Sequence, residues 1–313
     1  MSAAPGLPMA YSQAGLPSLV TVYEVGARDG LQNESNHLST QVKVEFLQRL
    51  LAAGLDTVEL TSFVPQRWVP QLGDAAEVMA ALGSSALGRN RPVLVPNERG
   101  LDRALDAGAQ AIAIFGSATE TFSQRNLNRS VAQSLEMFAP VVERASQADV
   151  WVRGYVSMCF GDPWEGPVPI GQVVDACSAM MDLGCDQLSI GDTIGVATTG
   201  HVTALLEALA QRDIPADQVG VHFHDTYGQA LANTIAALRC GVSVVDASAG
   251  GLGGCPYAKS ATGNLATEDL VWALDGLGIA HGVDQAALVD TSVWMAAQLG
   301  RPAPSRVVRA LSG

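Results

Sequence analysis

Eight times along this chain a short apolar, β-branched run gives way to an amphipathic stretch, and this alternation limits the fold more than any other feature. The extended runs are Val20 to Val25, Thr57 to Thr61, Pro92 to Val95, Ala111 to Phe115, Val150 to Ser157, Gln187 to Ile190, Val219 to Phe223 and Val242 to Ala247. Between them lie helical patterns over Thr40 to Ala53, Ala75 to Leu82, Ser130 to Gln147, Ile170 to Leu183, Thr199 to Gln211 and Gln229 to Cys240. Strand and helix in strict alternation make βα units, whose natural product is a parallel sheet. Eight units are enough to close that sheet on itself, so the expected class is α/β, a (β/α)8 TIM barrel with additional C-terminal helices. An open doubly wound sheet is the rival, but no Gly-x-Gly-x-x-Gly turn follows the first strand as a dinucleotide fold would favour. The expected organisation is a disordered tail over residues 1–17, a single catalytic barrel with appended helices over 18–300, and a C-terminal tail over 301–313.

Composition narrows the function. A formal net charge of -13 disfavours nucleic acid and anionic membranes as general partners, since both need basic surfaces. An anionic small substrate would need local help from arginines, helix N-termini or a cation. The five cysteines are widely spaced with no Cys-x-x-Cys pair, and read as reduced thiols. No apolar run reaches membrane-spanning length, and the first residues lack a basic n-region, so the expected setting is the cytoplasm.

In a barrel the chemistry lies where strands end, and polar residues gather there. The first strand runs into Arg28-Asp29-Gly30-Leu31-Gln32, the second carries Glu59 and Ser62, and the sixth ends at Asp192. The seventh contains His222 and His224, two apart on a strand and therefore on one face, where both could bind one cation. Asp29 and Asn264 could add oxygen ligands, a mixed set that suits Mg2+ or Mn2+ better than structural zinc. Glu59 could orient Arg28 or a ligating residue, or belong to a structural pair. After the eighth strand, Gly250-Gly251-Leu252-Gly253-Gly254 leads to Cys255, a thiol on a backbone able to approach a ligand closely. Only Lys43 and Lys259 exist, and Lys43 lies in the first helix, so a Schiff-base aldolase would have only Lys259. Metal-assisted carbon-carbon chemistry is favoured instead.

From about Val22 to Gly282 the chain resembles the 3-hydroxy-3-methylglutaryl-CoA lyases. The resemblance is carried by Glu24-Val25-Gly26-Ala27-Arg28-Asp29-Gly30-Leu31-Gln32-Asn33-Glu34, Thr61-Ser62-Phe63-Val64, Trp68-Val69-Pro70-Gln71, Gly191-Asp192-Thr193-Ile194-Gly195, His222-Phe223-His224-Asp225-Thr226-Tyr227-Gly228-Gln229-Ala230, and the cysteine loop continued through Asn264-Leu265-Ala266-Thr267-Glu268-Asp269-Leu270. It implies cleavage of the acyl-CoA to acetyl-CoA and acetoacetate, as in leucine degradation and ketone-body formation. By it, Asp29, His222, His224 and Asn264 would hold the divalent cation. Arg28 would stabilise the enolate of acetyl-CoA, and Cys255 would protonate that enolate. His222 or Asp29 would handle the hydroxyl proton, Glu59 and Asp192 would support the site by hydrogen bonding, and Gln32 and Ser62 would lie beside cation and substrate. Arg125 and Arg129 are candidates for the coenzyme A phosphates, and a homo-oligomer such as a dimer is left open.

Two places depart from the family pattern. Gly161-Asp162-Pro163-Trp164 carries a carboxylate and a larger aromatic where many members have Gly-Cys-Pro-Tyr, and Lys259-Ser260 replaces a small or neutral pair. Both leave the ligand set intact, so another 3-hydroxy-acyl-CoA is an alternative substrate. Two other readings are a related synthase, such as isopropylmalate or homocitrate synthase, and a non-catalytic CoA-binding barrel. Cys255 argues against the synthases.

Overall fold

The structure, a computed structural model, describes residues 7–32, 34–254 and 263–312. Eight parallel strands form one sheet: β1 (Thr21–Glu24), β2 (Thr57–Val58), β3 (Val93–Leu94), β4 (Ala111–Ser117), β5 (Trp151–Ser157), β6 (Gln187–Asp192), β7 (Val219–Phe223) and β8 (Val244–Ala247). β1 pairs with β8 on one side and β2 on the other. The regular strands β2 and β3 are short, yet backbone hydrogen bonds continue past them: Leu60 N–H reaches the Pro92 carbonyl at 2.9 Å and Phe63 N–H the Leu94 carbonyl at 2.8 Å. These contacts, with the Ser62 and Leu94 bridge, close the barrel. The eightfold expectation is borne out.

Helices fill the crossovers, namely α1 (Thr40–Ala52), α2 (Ala75–Leu82), α3 (Glu98–Asp106), α4 (Glu120–Leu127), α5 (Val131–Gln147), α6 (Ile170–Asp182), α7 (Thr199–Ala210), α8 (Ala230–Arg239) and α9 (Thr267–Leu277). Their starts follow local chemistry. Ser39 caps α1 through Val42 N–H, and Ser130 with Gln133 makes a reciprocal capping box on α5. The sequence pattern missed α3 and α4, which are short and polar. Two further helices, α10 (Gln285–Leu299) and α11 (Arg306–Leu311), extend the C-terminus.

Strand parity sorts the side chains. Ile112 and Ile114, Val152 and Val156, Leu188 and Ile190, and Val219, Val221 and Phe223 belong to the large buried cluster between sheet and helices. The alternate positions face the barrel axis, where Leu94, Ala113 and Tyr155 make a small cluster and Arg153 of β5 reaches Asp246 of β8 across the interior, over the ring of Tyr23. Barrels more often fill this space with branched apolar residues.

Residues 1–6 of the expected N-terminal tail lie outside the described residues; residues 7–17 and the chain beyond 301 make contacts with the barrel. Over residues 7–17 the chain lies against the barrel, with Tyr11 N–H donating to the Gly276 carbonyl at 2.9 Å, Gln13 accepting from Arg239, and Leu16 packed on the core. Beyond residue 301, Ala303 and Val308 form a small core with Val289, and Ser305 donates to Asp269 at 2.7 Å. Composition hid these contacts because each depends on a partner distant in sequence.

Gly220 is required by the interior pair. A Cβ there would lie 2.3 Å from Arg153 Nη2, which is fully buried and clamped to Asp246, so it cannot swing aside. Gly220→Ala is expected to destabilise the protein by about 1–3 kcal/mol, the usual cost of overpacking. A urea midpoint equal to that of the unaltered chain would contradict this.

Candidate active site

The end of β1 winds into a wide turn over Gly26–Gly30, in which the Val25 carbonyl accepts from the N–H groups of Arg28, Asp29 and Gly30. This π-type turn places two consecutive charged side chains at the barrel mouth, as such turns often do at functional sites. Gly30 permits it: a Cβ there would meet Ser248 Oγ at 2.8 Å and Leu252 Cβ at 2.9 Å. The Ser248 and Leu252 side chains of the loop after β8 therefore pack directly on the Gly30 backbone.

Asp29 gathers three donors. Arg28 Nη1 reaches Oδ1 at 2.6 Å, Gln32 Nε2 reaches the same oxygen at 2.9 Å, and Asn264 Nδ2 reaches Oδ2 at 2.8 Å. Burial pushes the carboxyl up, but Arg28 and the two histidines outweigh it and hold its pKa down to about 2. Arg28 is itself aimed: its Nη2 donates to Glu59 at 3.0 Å, and the same Glu59 oxygen accepts from Tyr155 at 2.7 Å.

His222 and His224 lie across from Asp29, with ring centroids 5.3 Å apart. Ligand atoms of Asp29, His222 and His224 all fall within 4.8 Å of one another, a group that could hold one metal ion. Burial, followed by the charge of His222, lowers the His224 pKa to about 4, which keeps it a neutral imidazole near pH 7. His222 is opposed by burial too, but Asp246, 3.2 Å from its Nδ1, raises it. Asn264 pairs with His224 as a β-bridge, and its Oδ1 is buried with no hydrogen-bond partner. Such an orphaned carbonyl oxygen costs free energy unless a ligand satisfies it.

The site opens into a cavity of about 750 Å³ lined by Arg28, Asp29, Gln32, His222 and His224, and also by Arg125 and Arg129. The expected residues thus fall into groups. Arg28, Asp29, Gln32, Glu59, His222, His224 and Asn264 come together. Asp192 faces backbone, accepting from Val196 and Ala197 N–H at 2.9 Å each, and burial raises its pKa to about 6. Ser62 Oγ accepts from Val64 N–H. Cys255 lies outside the described residues, as does Lys259. The departure at Asp162 proves to be a turn: its carboxylate accepts from Trp164 and Glu165 N–H and from Thr119 Oγ1, away from the cavity wall. Trp164 carries the Arg125 guanidinium over its ring at 4.4 Å. Arg153, Tyr155, Ser189 and Asp246 were missed from the sequence, although each occupies an inward-facing strand position that the alternation could have marked.

The HMGL-like family model matches residues 20–294. The chain belongs to this family. It is similar to a mitochondrial hydroxymethylglutaryl-CoA lyase of Arabidopsis thaliana, 49% identical over 95% of this chain, which spans 63% of that protein. The mitochondrial hydroxymethylglutaryl-CoA lyase of Homo sapiens is 47% identical over 96% of this chain and 91% of its own length. The crystal structure of hydroxymethylglutaryl-CoA lyase from Pseudomonas aeruginosa superimposes with a TM-score of 0.91 at 46% identity, covering 95% of this chain and 99% of that one.

The family motif after Asn264 also supplies the base of the glycine loop. Glu268, fully buried, accepts from Gly250 N–H at 2.9 Å and from Ser292 Oγ, while Glu24 accepts from Gly26 and Ala249 N–H and from Thr267 Oγ1. Burial outweighs these hydrogen bonds and raises Glu24 to about 7 and Glu268 to about 8. A carboxyl raised on folding binds more protons in the folded state, so its contribution is fully present below the unfolded value of 4.5 and lost as pH rises through the folded one. Glu268→Gln, which mimics the neutral carboxyl, is therefore expected to gain stability relative to the unaltered chain as pH rises from 4.5 to about 8. Denaturant titrations at several pH values check this, and a stability difference that does not vary with pH would refute it.

Proposed function

We propose that this chain is a hydroxymethylglutaryl-CoA lyase that cleaves 3-hydroxy-3-methylglutaryl-CoA to acetyl-CoA and acetoacetate, with Mg2+ or Mn2+ held by Asp29, His222, His224 and Asn264. The observation that carries the metal reading is the convergence of Asp29, His222 and His224 beside the unpartnered Asn264 Oδ1. Two imidazoles, a carboxylate and an amide oxygen suit a hard or borderline divalent cation, and leave coordination positions for substrate oxygens. When bound, such a cation polarises the substrate hydroxyl and carbonyl oxygens.

The remaining chemistry falls to the chain's own groups. Asp29 takes the proton from the C3 hydroxyl, because a His222 that gives its one lone pair to the cation has none left to accept it. The C2–C3 bond breaks as that oxygen becomes the ketone of acetoacetate, and the electron pair passes into the thioester as an enolate. Arg28, fixed by Glu59 and Asp29, places a guanidinium against the developing negative charge. Cys255, which follows Gly254 in the sequence, gives the enolate its proton and releases acetyl-CoA. Arg125 and Arg129 on the cavity wall offer positive charge to the coenzyme A phosphates in an otherwise acidic chain. We place the enzyme in the cytoplasm. Free Cys159, Cys177, Cys185 and Cys240 fit a reducing compartment, and no helix among the described residues is long and apolar enough to cross a membrane.

An assay of acetyl-CoA release with and without Mg2+ or Mn2+ tests the reading, and cation-independent turnover would overturn it. Cys255→Ala is expected to lower kcat by two or more orders of magnitude while leaving Mn2+ affinity by calorimetry nearly unchanged, because proton donation and cation binding are separate functions. An unaltered kcat would remove Cys255 from its role. His222→Ala and His224→Ala are each expected to weaken Mn2+, and full affinity in both would exclude the proposed ligands.

A further inference from the structure

The least expected feature of the barrel interior is a buried acid that touches a candidate ligand from behind. Asp246, 1% exposed, sits on β8 below the mouth. Its Oδ1 accepts from Arg153 Nη2 at 2.7 Å; its Oδ2 accepts from Arg153 Nη1 at 3.1 Å and Ser189 Oγ at 3.0 Å, and lies 3.2 Å from His222 Nδ1. Arg153 is equally fixed, stacked on Tyr23 at 3.7 Å and placed 3.3 Å from the Tyr155 hydroxyl.

We infer that Asp246, clamped by Arg153, is a positioning residue that fixes the tautomer and direction of the His222 imidazole. This rests on reading His222 as a cation ligand. A carboxylate facing a guanidinium is ionised and can only accept. The proton between Asp246 and His222 therefore belongs to Nδ1, and the neutral ring has its lone pair on Nε2. Because Asp246 occupies Nδ1, Nε2 is the atom left to face Asp29 and His224. Carboxylates that hold a ligating imidazole in this way raise its basicity and set its orientation.

Arg153 keeps Asp246 from competing with the ligands. Two guanidinium bonds and the Ser189 hydroxyl hold the carboxylate in place, so it stays an anion whose remaining acceptor capacity is aimed at Nδ1 rather than turning to the mouth. Gly220, by lacking a side chain, leaves room for that guanidinium to cross the barrel. Through Tyr155 the same guanidinium joins Glu59, Arg28 and Asp29, so both sides of the site share one hydrogen-bonded frame.

The test is long-range nitrogen-proton NMR of the histidines in the full-length, metal-free protein at pH 8.5, with Mn2+ calorimetry alongside. In the unaltered chain His222 is expected to show a protonated Nδ1 and an unprotonated Nε2. In Asp246→Asn, with cooperative unfolding retained, the Nε2–H tautomer is expected to become populated and Mn2+ affinity to fall 10- to 100-fold. Ser189→Ala, which keeps the ion pair and removes one contact to Asp246, is expected to weaken Mn2+ less than Asp246→Asn does, and provides the variant arm if the latter does not fold. An Nε2–H tautomer in the unaltered chain would overturn the inference. So would a folded Asp246→Asn protein with unchanged tautomer and unchanged Mn2+ affinity. The tautomer is read without metal, so its failure is distinguishable from a failure of His222 to bind a cation.

Discussion

Asp29 is the point on which the site depends. Its carboxylate joins the turn after β1, through Arg28 and Gln32, to Asn264 beyond β8. A closed parallel barrel makes this junction available, because β1 and β8 are neighbours in space while lying at opposite ends of the chain. Gly30, having no side chain, lets Ser248 and Leu252 pack against the turn after β1. Asp29 can then stand opposite His222 and His224 on β7 and its exit, and the three side chains converge.

The second element of the design is the cost of the polar interior. Burying charges is expensive, and pairing them only partly offsets the loss of water, so a buried pair such as Arg153 and Asp246 is poor evidence of added stability. Well-packed apolar residues of similar volume would serve the fold at least as well. What the pair supplies is direction. It holds His222 from behind as Glu59 and Tyr155 hold Arg28, leaving the groups at the mouth little freedom to rearrange before substrate arrives. Glu24 and Glu268 do the corresponding work at the root of the glycine loop, gripping Gly26, Ala249 and Gly250 by their N–H groups.

The barrel was legible because its information is local and periodic. Val219 to Phe223 was delimited as found, and the other seven strands overlap their sequence runs. The site was legible because strand order places all eight C-terminal ends at one mouth, so Arg28, Asp29, His222 and His224 could be grouped before any distance was known. Other features depend on contacts that sequence does not order. Asp192 reads as a site residue from its strand-end position, yet its oxygens go to Val196 and Ala197. Asp162 reads as a change to the pocket, yet it caps the turn that carries Trp164. Residues 7–17 read as disordered from composition, while their order comes from Gly276 and Arg239, more than two hundred residues away.

We propose that Asp29, His222, His224 and Asn264 form one cation site at the barrel mouth. Crystals of the protein grown with Mn2+, with diffraction recorded near the manganese absorption edge, locate the ion directly. The expected result is a single strong anomalous peak within about 2.5 Å of oxygen or nitrogen atoms from all four residues, a distance set by first-row divalent coordination. A peak elsewhere, or none at saturating Mn2+, would rule out this site.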